Sequence, residues 1–134
     1  MASSVLVRDE TTAGDRSEGV ELTFPTEVIT VRELIRERVY QEVDDYNRRA
    51  ERNDAVFRGL VEPSDAERTL NGFKPRGGRR IDWKEQFERA CAAYESCHVL
   101  VLAGDRQTES LDERITLTRG VEVTFLKLVP LVGG

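Results

Sequence analysis

The sequence predicts an α+β fold built around one hydrophobic core. Two observations support this class. Apolar residues alternate at every second position near both ends of the chain, as in strands, and two segments between them repeat apolar residues at spacings of three and four, as in helices. A chain of 134 residues has the size of one domain and buries roughly two-thirds of its unfolded surface. We therefore predict a single domain over residues 1–128 and a C-terminal tail over 129–134.

The N-terminal part predicts a strand hairpin followed by a helix. The alternating apolar positions of the two strands are Val5 and Val7, then Val20, Leu22 and Phe24. Thr30-Val-Arg-Glu33 matches a capping box, in which the threonine hydroxyl and the glutamate carboxylate each accept a backbone N–H, so a helix should begin there. Its apolar stripe, which we expect to pack against the hairpin, comprises Val31, Leu34, Ile35, Val39, Val43 and Tyr46.

The middle of the chain predicts an insertion at about 53–96. Residues 55–80 lack a regular period and are interrupted by glycines and prolines, so we interpret them as an excursion with short turns. Asp82-Trp-Lys-Glu85 then opens a second helix with another possible cap. The apolar stripe of this helix comprises Trp83, Phe87, Ala90, Cys91 and Tyr94.

The C-terminal part predicts two strands and a projecting tail. Residues 98–103 are apolar on both faces, which is typical of a strand inside a sheet, and Gly104-Asp105 turns the chain. A last strand alternates apolar and polar residues over 121–125, and Lys127 ends that alternation. Pro130 cannot donate a hydrogen bond to a sheet, so the residues after the strand should project as a tail.

Composition and charge exclude several classes of function. The net charge of −5 argues against a general nucleic-acid binder, because phosphate backbones attract positive charge. No apolar run reaches the length of a membrane helix, and the N-terminus has no basic region followed by an apolar segment, so we expect a cytoplasmic protein without membrane contact. The two cysteines, Cys91 and Cys97, form no disulfide framework, which favours a reducing compartment.

The sequence offers no candidate for catalysis or metal binding. Cys97 and His98 are adjacent, and neighbours on a strand point to opposite faces, so they cannot act as a nucleophile and its base. Cys91 lies on the apolar stripe of the second helix and is expected in the core. One histidine and two cysteines six apart match no zinc spacing. We therefore expect neither an enzyme nor a metalloprotein.

The order of these elements and the sequence of the final third resemble ubiquitin and its relatives. The segments at 101–107, 110–112, Ile115 and 121–125 are similar to ubiquitin's strand, glycine turn, connecting segment and last strand. The resemblance implies the ubiquitin-like β-grasp fold, a mixed sheet packed on a helix, here with an inserted loop and second helix. Residues 55 to about 95 depart from ubiquitin, which lacks them.

The chain also ends in two glycines, Gly133 and Gly134, like the members of this superfamily that act through their C-terminus. The approach through Pro130, Leu131 and Val132 is more like that of the thiamine and molybdopterin sulfur carriers than ubiquitin's arginine-flanked terminus. Bacterial ubiquitin-like proteins lie between these two families, and the chain most resembles them. The three apolar residues are the expected contacts of the tail with partner enzymes.

This resemblance implies a protein modifier. The Gly134 carboxylate would be adenylated by an activating enzyme, which uses ATP, and joined to a target amine by an isopeptide bond; the chain itself needs no cofactor. Glycine at both last positions leaves no side chain around the reacting carbonyl, so the tail can enter a narrow channel. The implied partners are the activating enzyme, a conjugating enzyme, a deconjugating peptidase and protein targets.

Two other functions remain open from the sequence. The first is a sulfur carrier that bears a thiocarboxylate at Gly134, and the second is a non-covalent β-grasp binding module whose terminal glycines arose by chance. If Leu100 and Leu102 face the helices, then Val99 and Val101 form an exposed apolar pair for a partner, unless the inserted helix covers them. The basic segment at 74–80 is either a solvated loop or a contact for an acidic partner surface.

Overall fold

The structure is a computed structural model that describes residues 3–17, 19–49, 60–61, 63, 66–69, 72–75, 81–118 and 120–128, with residues 49, 66–69 and 72–75 described by their backbone alone. These residues form strands and helices in the order β1 Ser3–Thr11, β2 Val20–Phe24, β3 Val28–Thr30, α1 Val31–Arg49, β4 Ala66–Thr69, β5 Gly72–Pro75, α2 Trp83–Glu95, β6 Val99–Ala103, β7 Arg106–Gln107, β8 Arg114–Thr116 and β9 Glu122–Lys127. The α+β class predicted from the sequence is confirmed.

The chain divides into two compact units. The first consists of Met1–Leu34 and Ala93–Gly134, and the second of Ile35–Ala92. Both helices cross the boundary, since α1 begins in the first unit and α2 begins in the second. The second unit starts earlier in the chain than the insertion predicted at about 53–96, because it takes in most of α1. The single domain predicted over residues 1–128 stays a prediction.

A mixed five-stranded sheet in the order β2-β1-β9-β6-β7 forms the centre of the first unit. β1 pairs antiparallel with β2 and parallel with β9, while β6 pairs antiparallel with both β9 and β7. The predicted alternation holds, because Val5, Val7, Leu22 and Phe24 are buried. Val20 is the exception at 62% exposed, since it opens an edge strand that no neighbour covers.

A second, two-stranded sheet fixes the start of α1 within the first unit. β3 pairs antiparallel with β8, which the sequence analysis did not predict as strands. The segment before β8 also supplies acceptors to the helix: Val31 N–H donates to Glu113 C=O at 3.0 Å and Arg32 N–H donates to Leu111 C=O at 2.9 Å. These bonds satisfy amides that the first turn of a helix otherwise leaves without a partner.

The predicted capping box at the start of α1 is confirmed. The Glu33 N–H donates to Thr30 Oγ1 at 3.1 Å, and the Thr30 N–H donates to Glu33 Oε1 at 3.2 Å. The predicted helix stripe is also confirmed, since every member is buried: Val31, Leu34, Ile35, Val39, Val43 and Tyr46. A cap also opens α2, where the Lys84 N–H donates to Asp82 Oδ1 at 3.0 Å.

The second unit contains more regular structure than the predicted excursion with short turns. β4 and β5 pair antiparallel as a two-stranded sheet, which places Lys74 in a strand rather than a loop. Residues 76–80, the rest of the predicted basic segment, lie outside the described residues. The sequence did not predict these strands because β4 carries charged residues at its centre, and glycine opens β5.

Polar side chains on the two helices form hydrogen bonds with the backbone of Leu60, Val61 and Ile81. Asn47 accepts the Ile81 N–H through Oδ1 at 2.9 Å and donates through Nδ2 to the Ile81 C=O at 3.0 Å. Glu42 accepts the Leu60 N–H at 3.0 Å, and Gln86, itself buried, donates to the Val61 C=O at 3.1 Å. Buried backbone groups that no strand can pair thus receive side-chain partners.

We predict that Asn47→Ala lowers the free energy of unfolding by about 1–3 kcal/mol, because both polar backbone groups of the buried Ile81 lose their partner. Gln41→Ala is the matched control on the same helix, since Gln41 is exposed and its bond is to the Glu37 side chain, and it should change stability by less than about 0.5 kcal/mol. Urea unfolding of both variants is the measurement. Equal stability of the two variants would show that the Asn47 bonds do not hold the segment.

Candidate functional site

The last two residues that the structure describes, Lys127 and Leu128, are held on both sides. The Leu128 N–H donates to the His98 C=O at 3.0 Å, next to the start of β6. The Thr12 N–H donates to the Lys127 C=O at 3.0 Å, just past the end of β1. Leu128 is the last residue that the structure describes. Backbone groups next to β1 and β6 therefore fix the chain at Lys127 and Leu128, immediately before the predicted tail.

The predicted tail residues lie outside the described part of the chain. These are the expected partner contacts Pro130, Leu131 and Val132 and the expected site of activation, Gly133 and Gly134. Their roles stay predictions. What the structure adds is the hydrogen bonding of Lys127 and Leu128, the residues immediately before the tail.

The predicted exposure of Val99 and Val101 is wrong. Val99 is 3% exposed and Val101 is 0% exposed, so both belong to the core. The register of the sheet explains this, because Val101 lies opposite Phe125, which is also fully buried, and directly opposed residues share a face. Exposure of the valines required the leucines to face the helices, but the pairing with β9 puts the valines on the buried face.

The opposite face of the same strands carries the apolar residues that remain accessible. Leu100, Leu102 and Leu126 are half-buried, and Leu128 is 40% exposed. Leu100 lies directly opposite Leu126 in the register, which places the two side chains within contact distance. We call these four residues the leucine face. It extends along the sheet to Leu128, the residue immediately before the predicted tail.

A polar margin borders the leucine face on its β1 side. Arg8 lies opposite Thr124 in the register and therefore on this face, and its guanidinium is 3.8 Å from a carboxylate oxygen of Glu122. Exposed ion pairs of this kind contribute at most about 1 kcal/mol to stability. An apolar centre with a polar border is the usual composition of a protein-binding surface.

A buried network supports β6 from the end of α2. The Thr108 hydroxyl donates to the Val101 C=O at 2.9 Å, and the Tyr94 hydroxyl lies 2.8 Å from the same threonine oxygen. Because the threonine proton is used on Val101, Tyr94 is the donor of the second bond. Burial raises the pKa of Tyr94 above its ordinary value of 10.0. The sequence predicts Tyr94 in the core, but it does not predict the hydrogen bond between Tyr94 and Thr108.

Cys97 and His98 are not strand neighbours, as the sequence analysis assumed, but belong to the turn after α2. The His98 N–H donates to the Ala93 C=O at 2.9 Å and the Cys97 N–H donates to the Tyr94 C=O at 3.1 Å, which is the Schellman motif of a helix end. Cys97 adopts a φ of 62° there.

Cys91 is buried, as predicted for the stripe of α2, and Cys97 is exposed. Among the described residues, no group of three histidine, cysteine, aspartate or glutamate side chains is placed to hold a metal ion. Over the same residues, neither helix combines the length and the apolar composition that crossing a membrane requires.

Comparison with known proteins gives no relative. No protein-family model, no curated protein and no solved structure matches the chain. The features that bear on function are therefore the leucine face, the backbone held at Lys127 and Leu128, and the chemistry of the last residues.

We predict that Val101→Ala costs about 2 kcal/mol of stability, since it removes two methyl groups from a fully buried position. Leu100→Ala removes one more carbon atom but should cost less, because Leu100 is only half-buried on the leucine face. Urea unfolding of both variants measures the difference. A larger loss from Leu100→Ala would contradict the assignment of the two faces.

Proposed function

We propose that the chain is a ubiquitin-like protein modifier of the β-grasp class, activated at the carboxylate of Gly134 and conjugated to amines of target proteins. The observation that carries the proposal is the end of β9, which is held at Lys127 and Leu128 and leads directly into a segment ending in Gly133-Gly134. An enzyme can reach a terminal carboxylate most easily when the residues before the tail are held in place and the last residues carry no side chains.

The arrangement of the sheet is compatible with a β-grasp. The first and last strands, β1 and β9, lie side by side and parallel in the middle of the sheet, with β2 on one side and β6 on the other. The connection between β2 and β6 contains both helices. This order supports the resemblance that the sequence of the final third suggested.

The length of the tail fits delivery of its end to another active site. Six residues, 129–134, follow the last described residue, and a chain of this length reaches at most about 20 Å when fully extended. An enzyme that binds the leucine face would therefore have the terminal carboxylate within reach of its own active site. This argues for recognition of the folded unit and of the tail by the same enzyme.

The proposed reaction sequence has three steps. A carboxylate oxygen of Gly134 attacks the α-phosphate of ATP in the activating enzyme, forming the acyl adenylate and releasing pyrophosphate. An enzyme thiolate then displaces AMP and forms a thioester, from which a target amine displaces the thiol to give an isopeptide bond. A conjugating enzyme would hold the thioester, and a deconjugating peptidase would reverse the last step by hydrolysis.

The leucine face is the proposed docking surface for the activating enzyme. Its apolar residues are accessible, and it ends at the residue from which the tail leaves. Apolar side chains at the centre of an interface are desolvated on binding and supply much of its affinity. The leucine face takes the place of the interaction surface considered at Val99 and Val101, because those two residues are buried and cannot contact a partner.

A sulfur carrier is the second candidate, and the apolar approach through Pro130, Leu131 and Val132 favours it. In that function the acyl adenylate receives sulfur instead of an amine, and Gly134 carries a thiocarboxylate. A non-covalent binding module is the third candidate, and for it the leucine face alone would be the functional site.

Mass spectrometry of protein isolated from its native cell separates these functions. The last trypsin cleavage site of the chain is after Lys127, so a conjugate would leave residues 128–134, Leu-Val-Pro-Leu-Val-Gly-Gly, branched on a target lysine. The intact free protein of a sulfur carrier would instead show one sulfur in place of one oxygen at Gly134. If neither product is found, and partner binding survives deletion of Gly133-Gly134, the covalent functions are excluded.

We predict that Gly134→Ala reduces the branched product at least tenfold, because a methyl group beside the reacting carbonyl obstructs activation, while the unfolding temperature is unchanged. Thr118→Ala, an exposed threonine of the same unit, is the control and should leave both quantities unchanged. The measurements are quantitative mass spectrometry of the branched peptide and thermal unfolding. Loss of thermal stability in Gly134→Ala would mean that the terminus is packed rather than available for reaction.

A further inference from the structure

The second unit carries an accessible cluster of one arginine and two aromatic residues. Tyr40 of α1 and Trp83 of α2 contact edge to face, with ring centroids 5.5 Å apart and an interplanar angle of 84°. The guanidinium carbon of Arg36 lies 5.7 Å from the centroid of the Trp83 ring, within the range of a cation–π contact. Arg36 and Tyr40 are one turn apart on α1 and therefore share a face of the helix.

These side chains are ordered by one another but are not part of the core. Arg36 is exposed, Tyr40 is 42% exposed, and Trp83 is half-buried. The sequence predicts Trp83 on the apolar stripe of α2. In the structure its ring contacts the charged side chain of Arg36. A cation–π contact uses none of the five N–H donors of a guanidinium, so those of Arg36 remain available to a ligand.

Three of the acidic groups near the cluster in sequence are engaged elsewhere. Glu33 accepts the Thr30 N–H in the cap of α1, Asp82 accepts the Lys84 N–H in the cap of α2, and Glu37 accepts a hydrogen bond from Gln41. Within the described part of the chain, Arg36 has no carboxylate partner. Its positive charge is therefore oriented by Trp83 without being neutralised.

The sequence around Trp83 adds positive charge. From Lys74 to Lys84, both included, there are five basic residues and a single acidic one, Asp82, although the whole chain has a net charge of −5. A local excess of this sign attracts acidic segments and increases their rate of association.

We propose that Arg36, Tyr40 and Trp83 form a binding site for an acidic segment of a partner protein. A glutamate or aspartate carboxylate of that segment accepts two N–H bonds from the Arg36 guanidinium, a geometry that arginine and carboxylates favour. A neighbouring apolar side chain of the segment packs on the exposed ring of Tyr40. Tryptophan, tyrosine and arginine are the residues that most often dominate the energy of protein interfaces.

This proposal is independent of the proposed function. It involves only residues of the second unit, whereas the modifier function depends on the leucine face and the tail of the first unit. A failure of one therefore leaves the other untouched.

Fluorescence provides a direct test, because Trp83 is the only tryptophan of the chain. The probe is a capped synthetic peptide rich in glutamate with one leucine at its centre, titrated into the full chain while the emission of Trp83 is recorded. The control peptide carries glutamine at every glutamate position. We expect saturable binding of the glutamate peptide that weakens with salt, and no saturation with the glutamine peptide or with inorganic phosphate.

Variants of the chain then assign the binding to Arg36. Arg36→Gln should raise the Kd for the glutamate peptide at least about tenfold, because it removes the charge-assisted hydrogen bonds. Lys84→Gln, which removes the same charge beside Trp83, should raise it by less than about threefold, since an exposed charge at the margin contributes little. Arg36→Lys keeps the charge and should still weaken binding, because lysine cannot form the bidentate pair.

Several outcomes would overturn the proposal. Equal Kd values for Arg36→Gln and the unchanged chain would remove Arg36 from the site, and equal effects of Arg36→Gln and Lys84→Gln would show unspecific attraction by charge. Saturable binding of phosphate would identify a general anion site. A change of Trp83 emission with protein concentration alone would identify a second copy of the chain as the occupant. If Arg36→Gln lowers the unfolding temperature, the Kd of Arg36→Lys is used instead. A Kd equal to that of the unchanged chain would then overturn the proposal.

Discussion

The parallel pairing of β1 with β9 is the constraint on which the first unit depends. It joins strands from near the two ends of the described chain, with Leu6 opposite Glu122 and Thr11 opposite Lys127. A parallel pair cannot be closed by a tight turn, so the chain between the two strands must cross over and return, and the helices lie in that crossover. Closing so long a loop is entropically costly, and burial of Val7, Val123 and their neighbours offsets that cost.

The same pairing determines the candidate site. Its register assigns Val123 and Phe125 to the buried face, and the antiparallel pairing of β9 with β6 extends that assignment to Val99 and Val101. The leucines at the intervening positions are then left accessible on the other face. β9 is the last strand among the described residues, and the Leu128 N–H that follows it donates to the His98 C=O at one end of the leucine face.

Sequence patterns predicted the elements whose faces differ most in polarity. The capping box of Thr30 and Glu33 and the apolar stripe of α1 were predicted correctly because both depend on local spacing. The faces of β6 were left open by the sequence because 99–102 is apolar at every position, and only the register with β9 decides which side is buried. The cluster of Arg36, Tyr40 and Trp83 was missed because it joins residues of two helices that are distant in sequence.

The most direct test of this account is a cross-link between β1 and β9. Arg8 and Thr124 are opposite one another in the register and share the accessible face, so cysteines at both positions should form a disulfide on mild oxidation in a Cys97→Ser background. Cysteines at Arg8 and Leu126, two positions out of register, should not. A mass-spectrometric search for the disulfide-linked peptides decides between them: the account predicts the first cross-link alone, and formation of only the second would contradict the register from which the leucine face and the tail exit follow.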